Sequence, residues 1–179
     1  IEEVRTCVRC VRNSDYQSFD VLVIDNDSHV DYRPRLQQEF PGLRLIRNSD
    51  NLGVAGGRNV GMQLALTEGY QYLLFLDDDT TIDISMMSEL IGAAQRKPSA
   101  GILGPKILRS DDPQVITSAG CTSWRWVYLH GAHTIISRFC SFFSVAIPRI
   151  TDATRGKNQL DHGQYDKEIE ISFQMGCAQ

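Results

Sequence analysis

The apolar residues of this chain gather into short runs that alternate with segments of helical periodicity, and the clearest run is 72–76. It lacks the period-two alternation of a half-buried strand and leads directly into Asp77, Asp78 and Asp79. Such a run is typical of a strand that is buried on both faces of a parallel sheet. We therefore predict a parallel-sheet strand here, with three carboxylates at its carboxyl end.

The same criteria predict alternating strands and helices as far as Pro105. This alternation is typical of an α/β fold with a mostly parallel sheet flanked by helices. The other strands are expected at 20–24, 43–46 and 101–103. Helices are expected at 1–13, 34–40 and 83–98, and a further helix begins within the glycine-rich segment 51–61 and reaches about Glu68.

Two of these helices carry a stripe that would face the sheet. On the helix that reaches about Glu68 the stripe includes two glycines, which would let the helix approach the sheet closely. On the 83–98 helix it consists of larger residues. The stripes comprise Gly57, Val60, Gly61, Leu64 and Ala65 on the first helix, and Met87, Leu90, Ile91 and Ala94 on the second.

The pattern becomes irregular after Pro105. Strands are expected at 115–119, 124–129 and 169–173, separated by polar stretches. The segment 152–166 is a long hydrophilic loop and a candidate flexible lid or disordered segment. The length of 179 residues fits a single domain over 1–179.

Composition and charge narrow the function. The net charge of −4 argues against a nucleic-acid partner. The five cysteines are odd in number and irregularly spaced, which favours free thiols in a reducing compartment. Cys7 and Cys10 form a single CxxC motif in a predicted helix, and no second such pair follows in the sequence. Neither a zinc site nor a redox function is therefore expected. No signal peptide or spanning helix is visible, because the apolar stretch 135–148 is short and interrupted by Arg138.

The chain begins inside a helical pattern. Ile1, Val4, Val8 and Val11 lie on one face, and no capping residue precedes them. We therefore expect the first strand of the sheet to precede Ile1.

Polar residues also follow the 20–24 strand. Asp25, Asn26, Asp27 and Ser28 lie where ligands bind in open α/β sheets, beyond the carboxyl ends of strands. Their side chains could bond the edge of a base or a ribose. The same residue types are common in turns without any ligand, so both interpretations stay open.

The glycine-rich segment 51–61 opens a helix with Arg58 and Asn59 in its predicted first turn. Backbone N–H groups and a fixed cation there favour an anion such as a diphosphate. Packing glycines at a helix start would explain the segment equally well. The spacing G-x-x-G-G is not that of the dinucleotide-binding fingerprint.

The three carboxylates after the 72–76 run repel one another, and a divalent cation with oxygen ligands would offset that repulsion. Asp77 and Asp79 should project to the same side of an extended chain, which leaves Asp78 for a different partner.

Aromatic residues share one face of the 124–129 strand. Trp124, Trp126 and Tyr128 are expected to pack in the core or at an edge, with a platform for a sugar ring as the alternative. His130 and His133 have no third ligand nearby, so no metal site is expected there.

Three elements in this order, VLVIDNDS, NLGVAGGRNVG and LLFLDDDT, resemble the family-2 glycosyltransferases with the GT-A fold. Each element is weak by itself, and the combination is specific. The later fragments GILGPKI, ITSAG and DHGQYD, with a strand ending in GCA, are most similar to the branch of rhamnosyltransferases and related cell-surface polysaccharide enzymes. The resemblance implies a nucleotide-sugar-binding half at 1–104 and an acceptor-side half at 105–179.

The resemblance also implies roles for single residues. Asp25 would bind the nucleobase, and Arg58 and Asn59 would lie on the nucleotide and diphosphate side. Asp77 and Asp79 match the family's DxD motif, whose last carboxylate holds Mg²⁺ or Mn²⁺ against the donor diphosphate. The expected donor pocket therefore comprises Asp25, Asn26, Asp27, Arg58, Asn59, Asp77 and Asp78, with Asp79 and Asp77 as the metal ligands.

The implied activity is inverting transfer of a hexosyl or rhamnosyl unit from a UDP-, dTDP- or GDP-linked sugar to a glycan or lipid-linked acceptor. Such an enzyme would be cytoplasmic, in contact with the inner face of the membrane. The family's general base belongs to an acidic pair after the GCA-type strand, so we expect it beyond Gln179. Asp161 and Asp166 do not lie at the matching place.

Three alternatives remain open. LLFLDDDTT also fits the first motif of the haloacid-dehalogenase-like phosphatases, with Asp77 as nucleophile, Asp79 as acid/base and Thr81 following. In those enzymes the motif should follow the first strand, whereas here other predicted strands precede it. A nucleotidyltransferase that makes the sugar nucleotide shares the fold type. A non-catalytic nucleotide-binding module would keep the pocket without the base.

Overall fold

The structure is a computed structural model that describes residues 1–120 and 157–166. The chain folds as two compact units, of which the first comprises Ile1–Glu89 and the second begins at Leu90. The architecture is mixed α/β, in agreement with the prediction. The helices are α1 (Glu2–Arg12), α2 (Arg33–Glu39), α3 (Gly53–Glu68) and α4 (Met86–Arg96), and the strands are β1 (Leu22–Asp25), β2 (Arg44–Arg47), β3 (Ile107–Leu108) and β4 (Ile116–Ser118).

A small parallel sheet of β1 and β2 lies in the first unit. Its register aligns Leu22 with Arg44 at one end and Asp25 with Arg47 at the other. Parallel neighbours need a crossover connection, which α2 supplies. Pro34 fits the first turn of α2, where its missing N–H has no helical partner to lose. The predicted strands at 20–24 and 43–46 are confirmed, with ends that differ by one or two residues.

Two apolar clusters hold this unit together, and α1 contributes to both. Val8 and Val11, which belong to the predicted apolar face of α1, are buried in different clusters. Apolar burial of this kind is the main force that holds a short helix in place. The clusters comprise Val8, Leu36, Phe40 and Leu43, and Cys7, Val11 and Met87.

The predicted strand at 72–76 is not formed, and this prediction is wrong. Within the described residues no ladder joins this segment to β1 or β2. Tyr72, Leu73, Leu74 and Phe75 are 40–45% exposed. A strand buried on both faces needs a neighbour on its edges to accept and donate backbone hydrogen bonds, and apolar composition alone cannot supply one.

In the second unit β3 pairs with β4 in antiparallel register. The predicted strand at 101–103 is not formed, and Ile102 is 85% exposed. Among residues 1–120 and 157–166 no strand pairs with that short apolar run, and the pairing of this sheet begins at Ile107 instead. The predicted strand at 115–119 is confirmed as β4.

The predicted lid at 152–166 is described from residue 157, and part of it is attached to β4. The N–H of Asn158 donates to the carbonyl of Ile116 at 2.9 Å, and the N–H of Ile116 donates to the carbonyl of Gln159 at 2.8 Å. A bridge between Val115 and Leu160 extends this pairing. The lid interpretation is therefore wrong for 158–160, because backbone pairing fixes them to a strand edge.

The predicted strands at 124–129 and 169–173 lie outside the described residues, and so do Trp124, Trp126, Tyr128, His130 and His133. Among the helices that the structure describes, none is both long enough and apolar enough to cross a membrane.

Candidate functional site

The carboxyl end of β1 carries Asp25, whose carboxylate is held from two sides. The guanidinium Nη1 of Arg47 donates to one carboxylate oxygen at 2.6 Å, and the backbone N–H of Ser28 donates to the other at 2.8 Å. The side chains of Asp25 and Arg47 are only 11% and 20% exposed. The register of the sheet causes this pairing, because it sets the two residues side by side.

Opposing effects set the pKa of Asp25. Burial raises the pKa of this carboxyl, whereas the hydrogen bond from Ser28 and the neighbouring charge of Arg47 lower it. The net result is a pKa below the ordinary 3.8. Asp25 is therefore ionised at neutral pH, and an ionised carboxylate can only accept hydrogen bonds from a ligand.

Arg47 also contacts the loop that follows Asp25. Its Nη2 donates to the carbonyl of Ser28 at 2.6 Å and approaches the carboxylate of Asp27 at 3.4 Å. Its Nη1 lies 3.4 Å from the carbonyl of Val30. Asp27 has a φ of +68°, a conformation that non-glycine residues adopt rarely and Asp more readily than most. One guanidinium thus spans the turn after β1.

Asn26 joins β1 to the segment that precedes α3. Its amide nitrogen donates to the side-chain oxygen of Asn51 at 2.9 Å and to the carbonyl of Gly53 at 3.1 Å. Its amide oxygen accepts from the side chain of Asn48 at 3.0 Å and from the N–H of Leu52 at 3.1 Å. Both ends of the amide are bonded within the protein, so Asn26 ties the start of α3 to the end of β1.

The predicted glycine face of α3 is confirmed, since Gly57 and Gly61 are its buried residues. A Cβ added at Gly61 would lie 3.0 Å from Cδ1 of Ile24. A Cβ added at Gly57 would lie 3.6 Å from the side chain of Asn26. The absence of side chains at these two positions lets α3 lie directly against β1.

The sequence predicts Arg58 and Asn59 in the first turn of the helix, and this prediction is wrong. Both residues lie in the second turn of α3. The helix begins at Gly53, whose N–H donates to the side-chain oxygen of Asn51 at 2.9 Å. The N–H groups of Arg58 and Asn59 therefore follow the first four helical residues and are not among the unpaired donors of the helix start. Any contact of these residues with an anion must come from their side chains.

The side chain of Arg58 reaches the acidic segment after residue 76. Its Nη2 donates to a carboxylate oxygen of Asp77 at 2.8 Å. The guanidinium carbon lies 5.8 Å from the centre of the Phe75 ring, within the range of a cation–π contact. Arg58 therefore links α3 to the third of the three sequence elements.

The acidic segment turns sharply. The N–H of Thr80 donates to the carbonyl of Asp77 at 3.1 Å, so Asp78 and Asp79 lie at the corner of a turn. The prediction that Asp77 and Asp79 share one side of an extended chain is therefore wrong, because side chains alternate only along a strand. Both Asp78 and Asp79 are exposed.

These three carboxylates supply hard oxygen atoms of the kind that Mg²⁺ and Mn²⁺ bind. One oxygen of Asp77 is bonded to Arg58. Across residues 1–120 and 157–166, no three His, Cys, Asp or Glu side chains are grouped closely enough to hold a metal ion. The acidic turn therefore fits part of a metal's ligand set, and a bound ligand with oxygen atoms would have to complete it.

Arg47, Asn48 and Asn51 are parts of this site that the sequence reasoning missed. A signal for Arg47 was present. Two predicted parallel strands end at Asp25 and near Arg47, and the carboxyl ends of parallel strands share one edge of the sheet. Opposite charges at corresponding ends would have suggested the pair.

In the second unit, Lys106 forms ion pairs with two acidic residues of the segment 157–166. Its Nζ lies 2.6 Å from a carboxylate oxygen of Asp161 and 2.6 Å from one of Asp166. The hydrogen bond from Lys106 lowers the pKa of Asp161. Lys106 thus joins Asp161 and Asp166 through one ammonium group.

Comparisons with known proteins complete the description. A sequence model described as glycosyl transferase family 2 matches residues 1–147. A galactofuranosyltransferase of Mycolicibacterium smegmatis is 29% identical over 114 residues, which cover 63% of this chain and 37% of that protein. An uncharacterized protein of Mycobacterium tuberculosis is 34% identical over 96 residues, or 53% of this chain and 33% of its own. An uncharacterized glycosyltransferase of Haemophilus influenzae is 28% identical over 101 residues, which cover 56% of this chain and 33% of that protein. The matched region thus spans about a third of these relatives.

Proposed function

Because this chain belongs to glycosyl transferase family 2, we propose that it provides the donor-binding part of an enzyme with the GT-A fold. The enzyme transfers a sugar from a nucleoside-diphosphate donor to a glycan or lipid-linked acceptor, with inversion. One observation carries the proposal. Asn26 bonds to the start of α3, and Arg58 on α3 bonds to Asp77, so the three sequence elements are connected in one place.

Asp25 is the proposed base-binding residue. Its ionised carboxylate accepts hydrogen bonds and donates none. Uracil and thymine present a ring N–H that complements it, and guanine presents a ring N–H beside an amino group. Cytosine presents a lone pair at the corresponding ring nitrogen, which a carboxylate repels. The favoured donors are therefore UDP-, dTDP- and GDP-linked sugars.

Arg58, with Asn59 beside it, is proposed to serve the diphosphate. The guanidinium of Arg58 is about a third exposed and lies against Asp77, so it supplies a fixed positive charge at the edge of the acidic turn. Asp77 and Asp79 would hold Mg²⁺ or Mn²⁺, with Asp78 beside them. A cation bound there would stabilise the negative charge of the departing nucleoside diphosphate.

The acceptor side of the proposal rests on family membership and relatives. The galactofuranosyltransferase match and the resemblance to rhamnosyltransferases favour a hexosyl or rhamnosyl donor and an acceptor among cell-surface glycans. The general base is proposed to lie outside the residues described. Family membership favours this transferase over the phosphatase and the nucleotidyltransferase.

Saturation-transfer NMR tests the proposal without requiring turnover. UDP-, dTDP- and GDP-linked hexoses are added to the protein in the presence of Mg²⁺, which is diamagnetic and does not broaden the NMR signals as Mn²⁺ would. In a separate assay, p-nitrophenyl phosphate is added as a phosphatase substrate. We expect saturation of the base and ribose protons of one nucleotide class. The phosphatase would be established instead if the protein hydrolyses p-nitrophenyl phosphate, if Asp77→Asn abolishes this hydrolysis, and if no nucleotide sugar shows saturation transfer from the protein.

A further inference from the structure

Arg47 makes more contacts than an ion pair in a sheet requires. It bonds to the Asp25 carboxylate and also reaches acceptors of Ser28, Asp27 and Val30 along the following turn. Asp27, Ser28 and Val30 are exposed. Apolar packing therefore contributes little to the shape of this turn, and polar contacts with Arg47 hold it.

The guanidinium is suited to this arrangement. Its planar fork presents several donors in fixed directions, which lets one side chain bond a carboxylate and backbone carbonyls at once. On the other side of Asp25, the Ser28 N–H occupies the second oxygen. The side chain of Ser28 adds a further hydrogen bond to this carboxylate. An ionised carboxylate has about four acceptor positions, so these three protein contacts leave room for a donor from a ligand.

We propose that Arg47 is a positioning residue of the nucleoside pocket, which orients the Asp25 carboxylate and shapes the 26–30 turn for the base and ribose of a nucleoside diphosphate. This inference rests on the proposed donor site. Arg47 contacts Asp25 from the sheet side and acts on the ligand through it. Its charge and its hydrogen bond also help to lower the pKa of that carboxyl.

Arg44 provides a matched control on the same strand. It lies at the opposite end of β2 and forms two hydrogen bonds with Glu68, at 2.7 and 2.6 Å. Arg44→Gln therefore removes the same charge and a more exposed ion pair from the same strand, away from the turn after β1.

The test is a calorimetric titration of wild type, Arg47→Gln, Arg47→Lys and Arg44→Gln with UDP, dTDP and GDP in the presence of Mn²⁺. Inorganic diphosphate is titrated in parallel. We expect Arg47→Gln to raise the Kd of the preferred nucleotide about tenfold or more, and Arg44→Gln to change it less than about twofold. Arg47→Lys should recover part of the loss, because an ammonium can reach Asp25 but not the carbonyls as well. Binding of inorganic diphosphate should be unchanged.

Equal nucleotide affinities in Arg47→Gln and Arg44→Gln would overturn the proposal. So would an equal weakening of nucleotide and inorganic diphosphate binding, which would indicate general damage. Hydrogen exchange of the Ser28 amide in the unliganded protein tests the turn separately, and Arg47→Gln should accelerate it. If the wild type binds no nucleotide, the proposed donor site is refuted. If Arg47→Gln nevertheless accelerates exchange of the Ser28 amide, the role of Arg47 in holding the turn is supported. Unchanged exchange would refute the positioning role itself.

Discussion

Replacing Asn26 by Asp keeps the shape of the side chain and removes its two donated hydrogen bonds. The new oxygen would face the side-chain oxygen of Asn51 and the carbonyl of Gly53, which now lie 2.9 and 3.1 Å from the amide nitrogen. The two accepted bonds, from Asn48 and Leu52, can remain. The substitution therefore tests whether Asn26 ties α3 to β1.

The expected loss follows from these contacts. A net contribution of about 0.5–1.5 kcal/mol per hydrogen bond, with part of each group accessible to water, gives about 1–2 kcal/mol for the two bonds. For a chain of this size that corresponds to a fall in Tm of about 2–8 °C. Asn59→Asp is the control, because Asn59 is exposed on α3. It should change stability by less than about 0.5 kcal/mol.

Thermal and urea denaturation followed by far-UV circular dichroism measure both variants. Hydrogen exchange at the Leu52 and Gly53 amides locates the effect, since these amides lie at the start of α3. Faster exchange there in Asn26→Asp is the expected result. Equal stability of Asn26→Asp and Asn59→Asp would refute the reasoning.

Three further predictions concern single side chains. Gly61→Val should destabilise the fold by about 1–3 kcal/mol, because its Cβ would already lie 3.0 Å from Ile24 and the added methyl groups have no room; urea denaturation measures the loss. The pKa of Asp25 in the folded protein is lower than its ordinary value of 3.8, so the ionised carboxylate stabilises the fold at pH values above 3.8. This stabilisation is lost as the pH falls through the folded-state pKa. The difference in urea midpoint between wild type and Asp25→Asn should therefore shrink as the pH is lowered through 3.8 and below. Burial, and then the nearby negative charges, raise the pKa of Cys7 to about 11, so iodoacetamide at about pH 8 should alkylate it about 100-fold more slowly than in the unfolded chain.

Each of these predictions has a result that contradicts it. Ala55 is exposed on α3, and a loss in Ala55→Val as large as that in Gly61→Val would show that helix propensity and not contact with β1 is responsible. If the difference in urea midpoint between wild type and Asp25→Asn does not change with pH, the ion pair with Arg47 is not the cause of that difference. Peptide mass spectrometry that finds equal alkylation rates for Cys7 in native and unfolded protein would show that the thiol is not buried.

Local patterns in the sequence predicted the parts of the fold that local patterns control. The helical spacing of Gly57 and Gly61 identified both the helix and the face that lies on β1. The two strands of the parallel sheet were also predicted, because their apolar runs are short and bounded by polar residues. In these cases periodicity and burial agree.

Features that depend on distant partners were predicted less well. The apolar run at 72–76 has strand composition, yet its hydrogen bonding depends on a neighbouring strand that composition cannot specify. The turn at Asp77 followed from that error, since an extended chain was assumed. The first turn of α3 was misplaced because the helix begins already at Gly53, whose N–H donates to the side chain of Asn51. Arg47 could be recognised only by aligning the ends of two strands.

The most direct test of the account is a calorimetric titration of this protein with UDP, dTDP and GDP, with and without Mn²⁺, repeated with Asp79→Ala. The account predicts that one nucleoside diphosphate binds, that Mn²⁺ strengthens its binding, and that Asp79→Ala abolishes the effect of Mn²⁺. Asp79 is exposed, so the substitution should leave the fold intact. Absence of binding by a folded wild type, with or without Mn²⁺, would contradict the proposed donor site.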